Sequence, residues 1–256
     1  MISSCLLRSV CLSLLLLPLS PTLSAVECRA SSGPQRVALL ELYTSEGCSS
    51  CPPADRWVSQ LSAQGFAADR VIPLVLHVDY WDHIGWRDRF ANPTYSARQR
   101  DMAKRAGLGV VYTPQVTING RDFPRWSSAT SFVQQIADNK QTARANIEVN
   151  LSRRAPDRWD ASVSVSGQKE DLVLSVVLYE NDLWSAVTTG ENAGRRLRHD
   201  YVVREWRGPS RVGSVPWVQT LQLKPEWQSA KMGIVVFVQN PASGEVVQAM
   251  TIKMCG

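Results

Sequence analysis

A chain of 256 residues, 44% of them apolar, has room for about two domains and ample material for buried cores. Its net charge of +5 comes from 28 basic and 23 acidic residues. No Lys/Arg run with interleaved aromatics accompanies it, so nucleic acid is excluded as an expected partner.

The chain starts with Arg8, an apolar stretch from Val10 to Leu19, and Leu23-Ser24-Ala25 as a small-residue cleavage site. That pattern predicts a secretory signal peptide over residues 1–25, too short to span a membrane, and so a periplasmic or secreted protein with no anchor after cleavage. Removing the leader removes Cys5 and Cys11 and leaves Cys28, Cys48, Cys51 and Cys255. An even number in an exported chain suggests two disulfides, one reactive and one structural. A structural bridge between Cys28 and Cys255 requires the ends of the mature chain to meet.

Residues 37–42 are a nearly continuous apolar strand interrupted by Glu41. A helix is predicted from about residue 52 to 64, with Pro52 and Pro53 in its first turn and Gly65 at its end. Val71 to Val78 is a second buried strand, and an aromatic and polar loop from Asp79 to Asp88 follows. Asn92 caps the next helix, with Pro93 at its first position and Gly107 at its end. Tyr112 to Ile118 is a short strand ending in Asn119-Gly120, a strong two-residue hairpin signal. Ser127 or Ser128 caps a last helix whose apolar face carries Phe132, Val133, Ile136 and Ala137. From Ala145 the pattern changes to alternating segments (147–151, 159–165, 172–179, 201–206, 218–223, 234–238 and 246–252) separated by turn residues, as in an antiparallel sandwich.

The stretch with the most chemistry in it is Thr44-Ser45-Glu46-Gly47-Cys48-Ser49-Ser50-Cys51-Pro52-Pro53-Ala54-Asp55, at the junction of the first strand and first helix. Unpaired N–H groups and the helix dipole favour a thiolate there. Cys48, on the exposed side, is expected to attack and Cys51 to resolve. The bland alternative is a static disulfide. A zinc site would need a second Cys-x-x-Cys or a close His pair, and the chain has neither.

A Cys-x-x-Cys at a strand-to-helix junction, with Thr113-Pro114 leading into a strand that ends in Asn-Gly, resembles the thioredoxin fold. More narrowly, Glu41 to Asp55, the Tyr80-Trp81-Asp82 loop and Gly190-Glu191-Asn192-Ala193-Gly194-Arg195 look like the exported bacterial family named domain of unknown function 1223. The expected fold class is an α/β thioredoxin-like domain over residues 26–143, followed by an all-β sandwich-like domain over 144–256. The resemblance implies an active dithiol at Cys48 and Cys51, a cis proline at Pro114, and Thr113 presenting backbone to a protein thiol or disulfide substrate. It also implies that Glu41 is the acid taking a proton from the resolving thiol, although Glu41 lies one residue further from the dithiol than the thioredoxin pattern has it. The serines between the cysteines and the two prolines after them also depart from that pattern.

Two other functions remain open at the level of sequence. With His83, the cysteines could bind copper as in the Sco-type copper chaperones, which space their cysteines by three residues rather than two; His77 is a weaker candidate. Alternatively, the sandwich binds a partner and the disulfide only fastens a loop. Trp81 and Trp86 are candidates to line a substrate groove beside the dithiol. Asn192, Arg195 and His199 are accounted for by turn chemistry.

Overall fold

A computed structural model describes residues 26–168 and 170–255. The predicted leader, residues 1–25, lies outside the described residues. In chain order the elements are β1 (Glu27–Ser31), β2 (Ala38–Thr44), α1 (Pro52–Gln60), β3 (Val71–His77), α2 (Pro93–Arg105), β4 (Gln115–Ile118), β5 (Arg121–Asp122) and α3 (Ala129–Asn139). The second half forms β6 (Asn146–Ala155), β7 (Arg158–Ser166), β8 (Val173–Glu180), β9 (Leu183–Ala186), β10 (Arg196–His199), β11 (Val202–Arg211), β12 (Trp217–Gln222), β13 (Met232–Gln239) and β14 (Val246–Lys253).

Local chemistry accounts for several boundaries. Asn92 accepts a bond from Thr94 N at 2.9 Å and Pro93 follows it, so α2 starts there. Ser128 caps α3 through Ser131 N at 3.3 Å. Asn119 and Gly120 both have positive φ, 51° and 79°, as a two-residue hairpin turn requires. A Cβ on Gly120 would lie 2.3 Å from the Gly244 carbonyl oxygen, so only glycine fits that position.

The fold class differs from the expected α/β thioredoxin-like domain followed by a sandwich. The described residues are mostly β, with three sheets and three α-helices. The largest sheet has eight strands in the order β14-β13-β8-β11-β3-β2-β4-β5, so strands from both sides of residue 143 share it. The joint is β11, which pairs antiparallel with β8 and meets β3 in parallel at Val202 and Val75. An unpaired strand edge exposes a row of backbone N–H and C=O groups, and β11 covers the free edge of β3. The far end curls back, since Gln248 on β14 accepts from Val37 N at 3.0 Å and donates to the carbonyls of Gly33 and Gln35. A second, antiparallel sheet (β1-β6-β7-β12) packs on β8 and β13, and β9 and β10 form a separate two-stranded ribbon.

Three cores follow. Ile147, Val149, Leu151 and Trp159 pack between the sheets against Leu174, Val176, Leu178 and Ile234. Inside the curl, Leu39, Tyr43, Leu74 and Leu76 meet Tyr95 of α2 and Val177, Val235 and Phe237. On the other face of β2 and β3, Leu40, Leu42, Val71 and Val75 meet Ala54, Val58, Phe132 and Ile136 of α1 and α3. The sulfurs of Cys28 and Cys255 are bonded, tying β1 to the segment after β14.

Candidate functional site

β2 ends at Thr44, and the chain turns through Ser45–Ser50 into α1, for which Cys51 is the N-cap residue. Pro52 and Pro53 occupy positions whose N–H groups would have no helical partner. Cys48 and Cys51 are joined as a disulfide, with Cα atoms 5.5 Å apart. Both are fully buried, while Ser49 and Ser50 between them are exposed. The expectation of Cys48 on an exposed side is therefore corrected.

The cover is supplied from far along the chain. Asn192, itself buried, donates through Nδ2 to the carbonyls of Glu46 (2.8 Å) and Cys48 (2.9 Å). Glu191 Oε2 accepts from Ser49 N at 3.0 Å, which holds the Glu191 carboxyl below the usual range. Gly190 sits against Trp86, and the Thr189 hydroxyl donates to the Gly85 carbonyl. The segment after β9 thus straps the dithiol turn to the aromatic loop. The turn chemistry read at Asn192 and Arg195 is present, but it serves this long-range contact, and His199 stands instead at the buried end of β10.

Trp81 and Trp86 do lie against the dithiol turn. Trp81 packs beside Gly47 and donates from Nε1 to Thr113 Oγ1 at 2.8 Å, so it bridges the dithiol turn to the Thr113-Pro114 segment. The Thr113–Pro114 peptide is cis. Trp86 Nε1 donates to Glu46 Oε2 at 2.8 Å. His83 is exposed on a short 3-10 turn, and among the described residues no three His, Cys, Asp or Glu side chains are grouped to hold a metal ion.

Glu41 is not beside the dithiol. Side chains alternate along a strand, and Leu40, Leu42 and Thr44 face α1 while Leu39, Glu41 and Tyr43 face the interior of the curl. There Glu41 is buried in a two-bond pair with Arg98 of α2, Nε to Oε1 at 2.5 Å and Nη2 to Oε2 at 3.1 Å. The one-residue offset noted in the sequence moves the carboxylate to the opposite face of the sheet, which removes it from the resolving thiol's side.

The acid on the dithiol side is Asp55, one turn after Cys51 on the inner face of α1. Its Oδ2 accepts from the Thr44 hydroxyl at 3.3 Å, and burial raises its pKa more than nearby His199, His77 and Thr44 lower it. Around it lie four more buried ionisable side chains. His77 Nδ1 and Asp88 Oδ2 are 2.6 Å apart, and the same Asp88 oxygen accepts from Glu46 N at 2.8 Å. His199 Nε2 is 3.2 Å from Glu46 Oε1. Burial alone would lower the His77 pKa, but the charge and hydrogen bond of Asp88 outweigh it and raise it. For Asp88 burial would raise the pKa, and the His77 contact wins and lowers it. Burial likewise opposes ionised Glu46, whose pKa is nevertheless lowered, chiefly by His199. Sequence reasoning missed Glu46, Asp55 and Asp88. The first two stood inside the quoted motif, and their burial was the signal lacking.

The His77–Asp88 pair predicts a pH signature. Asp88, with its pKa depressed on folding, contributes stability above the ordinary carboxylate value and loses it as pH falls through the folded value. His77, with its pKa raised, contributes fully below the ordinary histidine value and loses that as pH rises through the folded value. The deficit of Asp88→Asn in urea unfolding should therefore be largest between about pH 4 and pH 6.5 and shrink on either side. A deficit constant with pH would contradict an ionic pair.

No curated protein matches the chain significantly. Two solved structures are similar in fold. Protein AGR_C_4864 from Agrobacterium tumefaciens shares 24% identity, with 86% of this chain and 96% of that chain covered and a TM-score of 0.64. HBP35 of Porphyromonas gingivalis shares 14% identity, with 87% of this chain and 76% of that chain covered and a TM-score of 0.64. The family model described as protein of unknown function (DUF1223) matches residues 39–239, from β2 through β13 and so across the dithiol turn, the buried cluster and the strap; the chain belongs to that family.

Proposed function

We propose that the protein is an exported thiol–disulfide oxidoreductase acting through Cys48 and Cys51 on protein thiols or disulfides. The observation that carries this reading is the disulfide at the start of α1 backed by five buried ionisable side chains: Glu46, Asp55, His77, Asp88 and His199. Burying charged groups costs several kcal/mol per ion unless each is well paired, and such clusters gather where proton transfer is needed. A leader-like N-terminus and two disulfides fit an oxidising compartment.

In the oxidising direction, a substrate thiolate attacks one sulfur of the pair and forms a mixed disulfide. The other cysteine leaves as a thiolate and takes a proton. A second substrate thiolate then displaces the protein sulfur, so the substrate gains a disulfide and the pair becomes a dithiol. Asp55, rather than Glu41, is the carboxyl on the dithiol side and carries the proton.

A second reading, a permanent fastener, is favoured by the complete burial of both sulfurs. Cys51→Ser separates the two. Incubated with a reduced or disulfide-bearing test protein, the variant is expected to accumulate an intermolecular disulfide through Cys48. If none forms under oxidising or reducing conditions, the fastener reading stands.

A further inference from the structure

The second sheet ends on β12, a strand of six residues reading Trp217-Val218-Gln219-Thr220-Leu221-Gln222. On one side it pairs with β7, from Trp217–Val163 to Gln222–Arg158, with no register shift. On the other side no strand lies alongside it among the described residues. Such an edge is a row of backbone donors and acceptors that another strand can complete, and proteins blunt it with charge, proline, a bulge or a cover.

The other terminal strands are blunted in those ways. β1 carries Glu27 and Arg29, β10 carries Arg196 and Arg198, and β5 has only two residues. β14 is covered through Gln248, which accepts from Val37 N and donates to the Gly33 and Gln35 carbonyls. Arg89 closes on β9 by donating to the Trp184 carbonyl. β12 has no charged residue, no proline and no bulge. Val215, just before it, is 78% exposed, and Val218, on it, is 64% exposed.

The bonding pattern assigns which of its groups point outward. Leu223 N donates to the Asp157 carbonyl at 2.8 Å in the same register, so Leu223 faces β7. Antiparallel bonding alternates along a strand, so Trp217, Gln219 and Leu221 also bond to β7. Val218, Thr220 and Gln222 therefore turn N–H and C=O to the open edge. A two-fold axis at Thr220 would set the outward residues of one copy against those of another, Thr220 opposite Thr220 and Val218 opposite Gln222. No like charges meet in that register, and threonine across from threonine is a favourable pair.

We propose that β12 is the interface of a homodimer, in which two copies join edge to edge and antiparallel, so that their second sheets become one continuous sheet. A two-fold contact of this kind is self-complementary and closes at two copies, leaving no second β12 edge open. Neither Cys48 nor Cys51 belongs to this sheet, so the interface does not rest on the proposed redox chemistry.

Sedimentation velocity of the oxidised protein over about 1 to 100 µM, which brackets the affinity of a small interface, is expected to show a monomer passing to a dimer and no larger species. Thr220→Pro removes the outward N–H at the two-fold axis and keeps the ladder to β7; Val218→Lys puts a charge on the edge. Each should weaken the dimer by about tenfold or more. A monomer at every concentration, a dimer that neither variant weakens, or growth beyond the dimer would each overturn the proposal. Far-UV circular dichroism of both variants, matched to the parent, guards against unfolding as the cause, and Val218→Lys alters only an exposed side chain.

Discussion

Asn192→Ala is expected to make the Cys48–Cys51 disulfide reducible about ten to a hundred times faster than in the parent, measured as thiol release by a small reductant. Asn192 Nδ2 makes two buried bonds to the carbonyls of Glu46 and Cys48; alanine removes both, leaving the Glu46 carbonyl without a donor while the Cys48 carbonyl keeps its bond from Cys51 N. An orphaned buried acceptor costs about 1–3 kcal/mol, so the closed strap should lose roughly that much. Part of that loss is confined to the strap. Each 1.4 kcal/mol removed from the closed form raises the open population about tenfold, which sets the expected range. Asn192→Asp keeps the size but cannot donate to either carbonyl and should behave like alanine. If both variants lose stability while reduction stays as slow as in the parent, something other than the strap covers the sulfurs.

The second large effect is at Glu41 and Arg98. Arg98→Ala leaves Glu41 charged, buried and without its guanidinium, a change that costs about 3–5 kcal/mol in comparable buried pairs. It also strips the guanidinium from the faces of Trp206 (4.5 Å) and Phe237 (5.4 Å). Against a usual total of about 5–15 kcal/mol, urea unfolding should show a loss that size plainly. Neutralising both partners, as Glu41→Gln with Arg98→Met, should recover most of it, since an apolar substitute avoids the desolvation cost. Glu41→Gln alone should leave the rate of dithiol exchange as it is in the parent, because the carboxylate stands on the far face of β2. A fall in exchange rate with Glu41→Gln would return the proton-transfer role to it, and a loss below about 1 kcal/mol in Arg98→Ala would mean the pair is solvated.

The elements themselves were largely legible. Asn92 and Pro93, Asn119-Gly120, and the proline pair after Cys51 act through neighbours within a few residues, so their geometry can be read locally. Short strands at 27–31, 183–186 and 196–199 were not, since Arg-rich and polar segments of four or five residues carry little alternation. The architecture was hidden for a different reason. A period of two indicates which residues share a face, but not which strand lies alongside, so nothing in β3 or β11 announced that Val75 and Val202 pair across the two halves. Parity failed at Glu41 because β2 is buried on both faces and its apolar run does not alternate. At the candidate site, Asn192 meets Cys48 across 144 residues of sequence. His77 on β3, Asp88 in the loop after it and His199 on β10 become a cluster only when the sheet assembles.

Titration of the oxidised protein against graded glutathione buffers, with the thiols of Cys48 and Cys51 counted by alkylation and mass, tests the redox centre most directly. An exchanging pair should open reversibly at a potential within the range of about −120 to −270 mV spanned by redox-active dithiols, while Cys28–Cys255 stays closed. A Cys48–Cys51 bond that resists reduction to below about −300 mV, and opens only when the protein unfolds, would make it a fastener and contradict the proposed chemistry.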